Sequence, residues 1–237
     1  MPMRTEPLTV LHEDNHLLVV CKPAGLLTQG DASGHVTLMD LAKAYLKERY
    51  AKPGNVYLGL VHRLDRNVSG VVALARTSKA AARLSAQFRE RSMRKSYLAV
   101  VEGRPAASTG ELVHHMGDRA DGDGRTPLAA APFPGSKEAR LRWRRIATAD
   151  ADRAVLLVQP ITGRRHQIRA QLAAAGWPIA GDRKYGASVP LPDRALALHA
   201  WRLELKHPVG GTALTFTAPP PCRDPWPSLP QLEMLDT

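Results

Sequence analysis

The N-terminal half of the chain contains the segment Gly59-Leu60-Val61-His62-Arg63-Leu64-Asp65-Arg66-Asn67-Val68-Ser69-Gly70, which leads into the apolar run Val71–Ala75. A short apolar run after a Ser-Gly pair predicts a buried strand. Asp65 lies between Arg63 and Arg66, and neighbouring cations favour the ionised form of a carboxylate. An ionised Asp in a pocket can act as a nucleophile or a base. The alternative is a structural ion pair that precedes the strand.

Working outward from this segment, short strands and a few helices are predicted on both sides. The N-terminal side predicts a strand at Leu17–Cys21 ended by the turn Lys22-Pro23-Ala24-Gly25, then a helix after Thr37 with Asp40 completing a capping box. The C-terminal side predicts these elements: a helix capped by Ser78, a strand at Lys95–Val101, a long hairpin or loop over Arg104–Gly135, a strand pair at Leu141–Ile146 and Ala154–Val158, a helix at Arg165–Ala175 ended by Gly176, and a hairpin of Leu203–Leu205 with Ala213–Thr217.

This order of elements favours an α+β fold, a mixed sheet with helices packed on it. Strict alternation of strands and helices is not visible, which disfavours a doubly wound fold. The sequence contains neither a G-x-G-x-x-G segment after a strand nor a P-loop, so a nucleotide cofactor is not expected.

Charge is the first indication of a partner. The 237 residues include 33 Lys and Arg against 22 Asp and Glu, a formal net charge of +11. Residues 76–104 carry a net +6 and residues 137–184 a net +7, which leaves about −2 for the rest. Two basic segments on a near-neutral chain suggest a polyanion surface, most often phosphate. The alternative is a set of arginines on solvated faces.

Composition excludes several classes of protein. No apolar run exceeds about five residues, whereas a membrane span needs roughly 20, so no membrane partner is expected. Cys21 and Cys222 are too few for a disulfide framework, and they suit a reducing cytosol. We therefore expect a cytoplasmic location.

Two further segments are rich in functional side chains. Tyr97 follows Arg94 and Lys95 and could stack on a base, although packing within a sheet is the alternative. In the predicted helix, Arg165 and Arg169 lie four residues apart, and their repulsion is unfavourable unless an anion lies between them. Backbone N–H groups after Gly163, at the start of that helix, also suit an anion. A solvated basic face is the alternative here.

Six blocks of the sequence resemble, in order, the motifs of the RluA family of RNA pseudouridine synthases. These blocks are Glu13-Asp14 with Leu17–Gly25, His62–Arg66, Lys95-x-Tyr97, Thr162–Arg169, Gly181-Asp182-x-x-Tyr185-Gly186, and Ala197–Ala200 with His207-Pro208. The resemblance extends from about residue 8 to residue 219.

The resemblance implies a single catalytic domain over residues 1–237, with its core at about 8–219 and a Pro-rich tail at 219–237. It implies a bisected, mixed and mainly antiparallel β-sheet flanked by helices and loops. It also implies isomerisation of uridine to pseudouridine in ribosomal or transfer RNA, with no cofactor and no metal. We further expect a monomer, because no sustained apolar surface stripe is evident.

Roles for individual residues also follow from the resemblance. It implies that Asp65 is the catalytic residue and that Arg63 is associated with the space vacated when the target base flips out. By the same resemblance, Tyr97 packs against the uracil, Arg169 pairs with Asp65, and Leu172 lines the pocket. The remaining expected substrate-binding residues are Arg164, Arg165 and His166.

The sequence departs from the family pattern at Cys21, at Asn67-Val68, at Arg165 and at Gln171. The catalytic positions are unaffected, but Arg165 adds a charge beside the expected RNA path. No S4 RNA-binding domain is expected, since about eight residues precede the first block. Two other functions stay open: an RNA-binding or folding-helper protein that only keeps the scaffold, and a glycosidic-bond hydrolase that releases free uracil.

Overall fold

The computed structural model of the chain describes residues 8–32 and 34–228. Its α-helices are α1 Leu38–Arg49, α2 Ser78–Arg89 and α3 Gln167–Ala174, and short 3₁₀ turns cover Arg183–Tyr185 and Pro192–Arg194. Its strands are β1 Thr9–Glu13, β2 Leu17–Lys22, β3 Gly59–Leu60, β4 Ser69–Ala75, β5 Arg94–Glu102, β6 Thr109–Gly117, β7 Leu128–Ala129, β8 Ser136–Thr148, β9 Arg153–Pro160, β10 Leu198–Lys206 and β11 Ala213–Thr217.

The strands pair in a mixed, mostly antiparallel arrangement, which confirms the predicted fold class. The chain divides into two compact units. The first unit comprises the described residues of Met1–Lys95 and Ala200–Ala218, and the second those of Ser96–His199 and Pro219–Thr237. The expectation of a single domain therefore stays a prediction. Among the described helices, none is both long and apolar enough to cross a membrane.

The first unit is built on β4, all seven of whose residues are buried. β2 pairs antiparallel with β4 from Leu17 opposite Ala75 to Lys22 opposite Gly70, and β10 lies next to β4. β1 extends the sheet beyond β2, β3 pairs with β4, and β11 pairs with β10. The strands predicted before Lys22 and after Gly70 are confirmed. A strand covered on both faces is expected to be a continuous apolar run, as β4 is from Val71 to Ala75.

Two helices of the first unit begin at side-chain caps. Thr37 and Asp40 form the predicted capping box at the start of α1. At α2 the prediction was wrong by one residue: the cap is Thr77, whose hydroxyl accepts from the Ala80 backbone N–H at 3.1 Å. Thr77 has extended backbone angles, whereas Ser78 is already helical.

The second unit has the strand order β5-β9-β8-β6-β7. The predicted strand at Lys95–Val101 and the predicted strand pair are confirmed as β5, β8 and β9, with longer bounds. The segment 104–135 contains the nine-residue strand β6, which pairs with β8 along its whole length. Residues 219–228 of the Pro-rich tail contain no helix or strand, and residues 229–237 lie outside the described part.

The start of the third helix corrects the sequence analysis. α3 begins at Gln167, not at Arg165, because His166 takes a left-handed conformation with φ 52°. The Gln167 side-chain oxygen accepts from the backbone N–H of Arg164 at 2.9 Å and from the hydroxyl of Thr162 at 2.7 Å. Arg165 therefore lies in the turn before α3, and its charge is not on the same helix as that of Arg169.

Gly70 is a point where only glycine fits. Its φ is +119°, and a Cβ added there would lie 2.3 Å from the backbone oxygen of Ala200 and 2.5 Å from its nitrogen. We predict that Gly70→Ala destabilises the fold by about 3 kcal/mol or more, since overpacking and backbone strain each cost about 1–3 kcal/mol.

Gly210→Ala is the matched control, because Gly210 also has a positive φ (+84°) while no described atom comes within 4 Å of its added Cβ. Urea unfolding of both variants measures the difference. Equal losses in the two variants would mean that β4 and β10 tolerate the extra atom.

Candidate active site

The segment that carries Asp65 is fixed on both sides of the carboxylate. The backbone oxygen of Asp65 accepts from the N–H of Val68 at 3.1 Å, which closes a turn in front of β4. The backbone oxygen of Leu64 accepts from the Thr28 hydroxyl at 2.7 Å, and the Leu64 side chain is buried. Asp65 itself is half-buried, and Arg63 is exposed. The turn therefore holds the backbone while the carboxylate keeps access to solvent.

Lys22 at the end of β2 holds this turn from inside. Its side chain is fully buried, and its ammonium donates to the backbone oxygens of Pro23 at 2.9 Å, Leu26 at 2.8 Å and Arg66 at 3.0 Å. The Arg66 oxygen also accepts from the N–H of Gly25 at 2.8 Å. Residues 22–26 and the residue after Asp65 therefore share one hydrogen-bond network.

The environment of Lys22 also tunes its proton affinity. Burial lowers the pKa of Lys22 to about 7, while the Asp65 carboxylate acts in the opposite direction. Cys21 also raises this pKa, and Arg66 lowers it. Sequence analysis assigned Lys22 only to a turn. The available signal was a lysine that directly follows the buried run Leu17–Cys21, where a charge needs partners.

His62, three residues before Asp65, has a structural part. Its Nε2 accepts from the backbone N–H of Ala73 at 2.9 Å, and its ring stacks on Phe88 with centroids 4.6 Å apart. Burial, together with a smaller effect of the Lys95 charge, lowers the pKa of His62 to about 3. The imidazole is therefore neutral and supports β4 by accepting a hydrogen bond.

The second unit carries the other residues expected at the site. Tyr97 on β5 is half-buried and lies opposite Val158 on β9. Leu172 on α3 is fully buried, and Arg169 on the same helix is 8% exposed. Among the described residues, no group of three or more His, Cys, Asp or Glu side chains is placed to hold a metal ion.

Arg169 binds a carboxylate that sequence analysis did not assign to it. Its Nε donates to Oδ2 of Asp182 at 2.6 Å and its Nη2 donates to Oδ1 at 2.9 Å, which makes a bidentate ion pair. Asp182 is 1% exposed. The guanidinium also lies 5.0 Å from the ring centroid of Tyr185. The anion expected next to Arg169 is thus present within the chain, and Arg165 takes no part in it. The expected pairing of Arg169 with Asp65 stays a prediction.

Tyr185 connects this pair to the third motif. Its hydroxyl accepts from the backbone N–H of Thr126 at 2.9 Å and lies 3.1 Å from Nδ1 of His166. The Thr126 hydroxyl in turn donates to the backbone oxygen of Arg165 at 3.2 Å. The placement of Asp182 and Tyr185 in one block of the family resemblance was the sequence signal for this network.

The three basic residues of the third motif lie together in the turn before α3. Arg164 is half-buried and its Nε donates to the backbone oxygen of Glu138 at 3.1 Å, whereas Arg165 is exposed. His166, half-buried, is the residue with the left-handed conformation. Of the three, Arg165 presents its charge most openly to solvent.

Comparison with known proteins identifies the class. Residues 16–174 match the family described as RNA pseudouridylate synthase. The dual-specificity RNA pseudouridine synthase RluA of Escherichia coli O6:H1 is 36% identical over 221 residues, which cover 90% of this chain and 93% of that protein. Ribosomal large subunit pseudouridine synthase D of Nitrosomonas europaea is 34% identical over 227 residues, and the chain spans 62% of its length.

Solved structures show the same fold. Human RNA pseudouridylate synthase domain containing 4 superposes with a TM-score of 0.75 at 25% identity, covering 90% of this chain and 89% of that one. Human RNA pseudouridylate synthase domain containing 1 gives a TM-score of 0.72 at 26% identity, with coverages of 92% and 86%.

Fold and sequence together define an isomerase that acts on RNA. The chain belongs to the RNA pseudouridine synthase family, and RluA-type and RluD-type synthases are among its relatives. The family resemblance found in the sequence blocks is confirmed.

The first prediction from the site concerns Lys22→Met, which keeps the stem of the side chain and removes the ammonium. We expect turnover to fall about 10- to 100-fold, because small displacements of a reacting group are costly, while RNA affinity changes little. In the wild type, raising the pH through about 7 removes one of the N–H donors from Lys22, so turnover falls there.

Single-turnover rates at about six pH values between roughly pH 6 and pH 8.5 measure this fall in turnover. We expect the fall to be absent in Lys22→Met. Lys47→Met, a change of an exposed lysine, is the control. A wild-type limb near pH 7 that persists in Lys22→Met would show that another group titrates.

The second prediction concerns Asp182→Asn, which leaves Arg169 buried without its carboxylate. We expect a loss of about 3 kcal/mol in the free energy of unfolding and a fall in turnover that exceeds any loss of RNA binding. Asp193→Asn, at an exposed ion pair with Arg223 (3.8 Å), is the control and should change little. Unchanged stability in Asp182→Asn would contradict the importance of the pair.

Proposed function

We propose that this chain isomerises specific uridines of a structured RNA, ribosomal or transfer, to pseudouridine, with Asp65 as the catalytic residue and without a cofactor. The observation that carries the proposal is the geometry of the Asp65 turn. Three hydrogen bonds from a buried ammonium, one of them to the residue after Asp65, fix the backbone, while the carboxylate stays half-buried. Such preorganisation is what a single reactive carboxylate needs.

The chemistry is consistent with so few groups. The C1′–N1 bond of uridine breaks, the base rotates, and a C1′–C5 bond forms, so that the product contains the same atoms as the substrate. No electron is gained or lost, and the reaction calls for no redox cofactor. It calls for one carboxylate and for groups that retain the detached base.

The remaining site residues are proposed to hold the substrate. Tyr97 packs against the uracil, as flipped bases commonly stack on aromatic rings. Arg169, whose guanidinium is already oriented by Asp182, pairs with Asp65, and Leu172 supplies an apolar wall. Arg63 is proposed to fill the space that the flipped nucleotide leaves in the RNA.

The basic turn before α3 is proposed to bind the RNA backbone through Arg164, Arg165 and His166. The relatives' names mention the large ribosomal subunit and a dual specificity, which supports ribosomal RNA as a substrate; a stem-loop of ribosomal or transfer RNA is our proposal. We further propose that the protein acts as a monomer in the cytoplasm.

Asp65→Asn tests the catalytic assignment. We expect this isosteric change to abolish turnover and to leave RNA binding within about tenfold of the wild type, because it removes reactivity and little contact area. Tritium release or mass spectrometry of the RNA measures turnover, and filter binding measures affinity. Wild-type turnover in the variant would refute the role of Asp65.

The RNA is identified by a pseudouridine map of total RNA from cells with and without the gene, complemented by the wild type or by Asp65→Ala. Sites lost on deletion and restored by the wild type alone name the substrate. Free uracil in the reaction would instead indicate a hydrolase. Maps that are identical in all strains, together with RNA binding in vitro, would favour a non-catalytic RNA-binding protein.

A further inference from the structure

One face of β8 carries arginines that the proposed site does not use. Side chains alternate along a strand, so Arg140, Arg142 and Arg144 lie on one face while Ala139 and Leu141 are buried on the other. Residues two apart on a strand are about 6.8 Å apart. The three guanidinium groups therefore form a row along the strand.

Only part of this row is neutralised. Glu111 and Glu138 both reach Arg140, at 3.4 Å and 3.5 Å. Glu111 lies directly opposite Arg142 in the strand register, yet its carboxylate is drawn to Arg140. Within the described part of the chain, no ion pair or hydrogen bond is found for the side chains of Arg142 and Arg144, and both are exposed.

These two arginines flank a groove of about 490 Å³, which we name the β8 groove. Its lining combines the buried, apolar Leu157 with polar and charged side chains. Its other lining residues are Thr109, Gly110, Glu111, Trp143 and Gln159. Two adjacent, uncompensated cations are unfavourable by themselves and suit a ligand with successive negative charges.

The register separates this groove from the residue proposed to hold the uracil. Tyr97 is opposite Val158, which is opposite Trp143, whereas Gln159 and Leu157 are opposite Arg142 and Arg144. Cross-strand partners share a face of the sheet, so the side chains of Arg142 and Arg144 point to the face opposite to that of Tyr97. A ligand in the groove is therefore distinct from the target base.

We propose that the β8 groove binds the phosphate backbone of the substrate RNA outside the target nucleotide, with Arg142 and Arg144 each contacting a phosphate. This rests on the proposed function, which supplies RNA as the partner. Charge complementarity selects a nucleic acid strand, and the hydroxyl of Thr109 and the amide of Gln159 are the neighbouring groups for its sugars.

The double variant Arg142→Ala with Arg144→Ala tests the groove, with a fluorescein-labelled oligouridylate of about 30 nucleotides as the probe. We expect binding about tenfold weaker, and a salt dependence whose slope falls by about 1.4, since each phosphate contact on a single strand contributes about 0.7. At saturating RNA, kcat stays near that of the wild type while KM rises.

Two controls make the result specific. Lys43→Ala with Lys47→Ala removes two positive charges from exposed positions of α1 and should lower the slope less. The double variant Arg142→Lys with Arg144→Lys keeps both charges and should retain most of the wild-type slope of the salt dependence. A slope in the alanine variant no lower than in the lysine-to-alanine control would overturn the proposal.

The outcomes also separate this inference from the proposed function. If the wild type forms no pseudouridine but the slope difference is present, the β8 groove stands and the catalytic assignment fails. If the wild type is active and the alanine variant matches the wild type in slope and KM, the groove is not an RNA surface.

Discussion

The buried ammonium of Lys22 is the interaction on which the proposed site depends. A fully buried cation is costly unless its donors are satisfied, and here three backbone oxygens accept from it. Two of those oxygens belong to the loop after β2 and the third to the turn of Asp65, so that the cation joins two segments 44 residues apart. Replacing the hydrogen bond to Arg66 by water would remove one of the contacts that hold the turn, beside those from Gly25 and Thr28. The Lys22 ammonium therefore acts on the Asp65 turn through hydrogen bonds to backbone oxygens.

In the second unit a buried charged group likewise fixes local geometry, here that of a side chain. Arg169 is buried, and the carboxylate of Asp182 fixes two of its nitrogens in one plane. Tyr185 lies over the guanidinium and also holds the turn before α3 through Thr126. Desolvated pairs of this kind have little net stabilising energy but well-defined geometry. In the first unit a buried cation holds the segment of Asp65, and in the second a buried carboxylate orients the guanidinium of Arg169.

Local patterns in the sequence were sufficient for most elements. The apolar run after Gly70 and the capping box at Thr37 depend on neighbouring residues only, and both are confirmed. The features that local patterns did not predict depend on specific side-chain contacts. α3 begins late because Gln167 turns back to Thr162, and the partner of Arg169 is 13 residues away. Neither contact leaves a periodic pattern in the sequence. The block that contains Asp182 singled out this residue, but it did not indicate that Arg169 is its partner.

The distribution of charge along the chain likewise does not reveal which residues are paired in the folded protein. Residues 137–184 carry a net +7, but some of their arginines form ion pairs within the chain. Asp182 engages Arg169, and two glutamates engage Arg140. Among the charges available to an external polyanion are those of Arg142, Arg144 and Arg165, whose positions follow from strand pairing and from the helix start. A count of charges along the chain therefore predicts that a polyanion binds, while the pairing of each charge determines where it can bind.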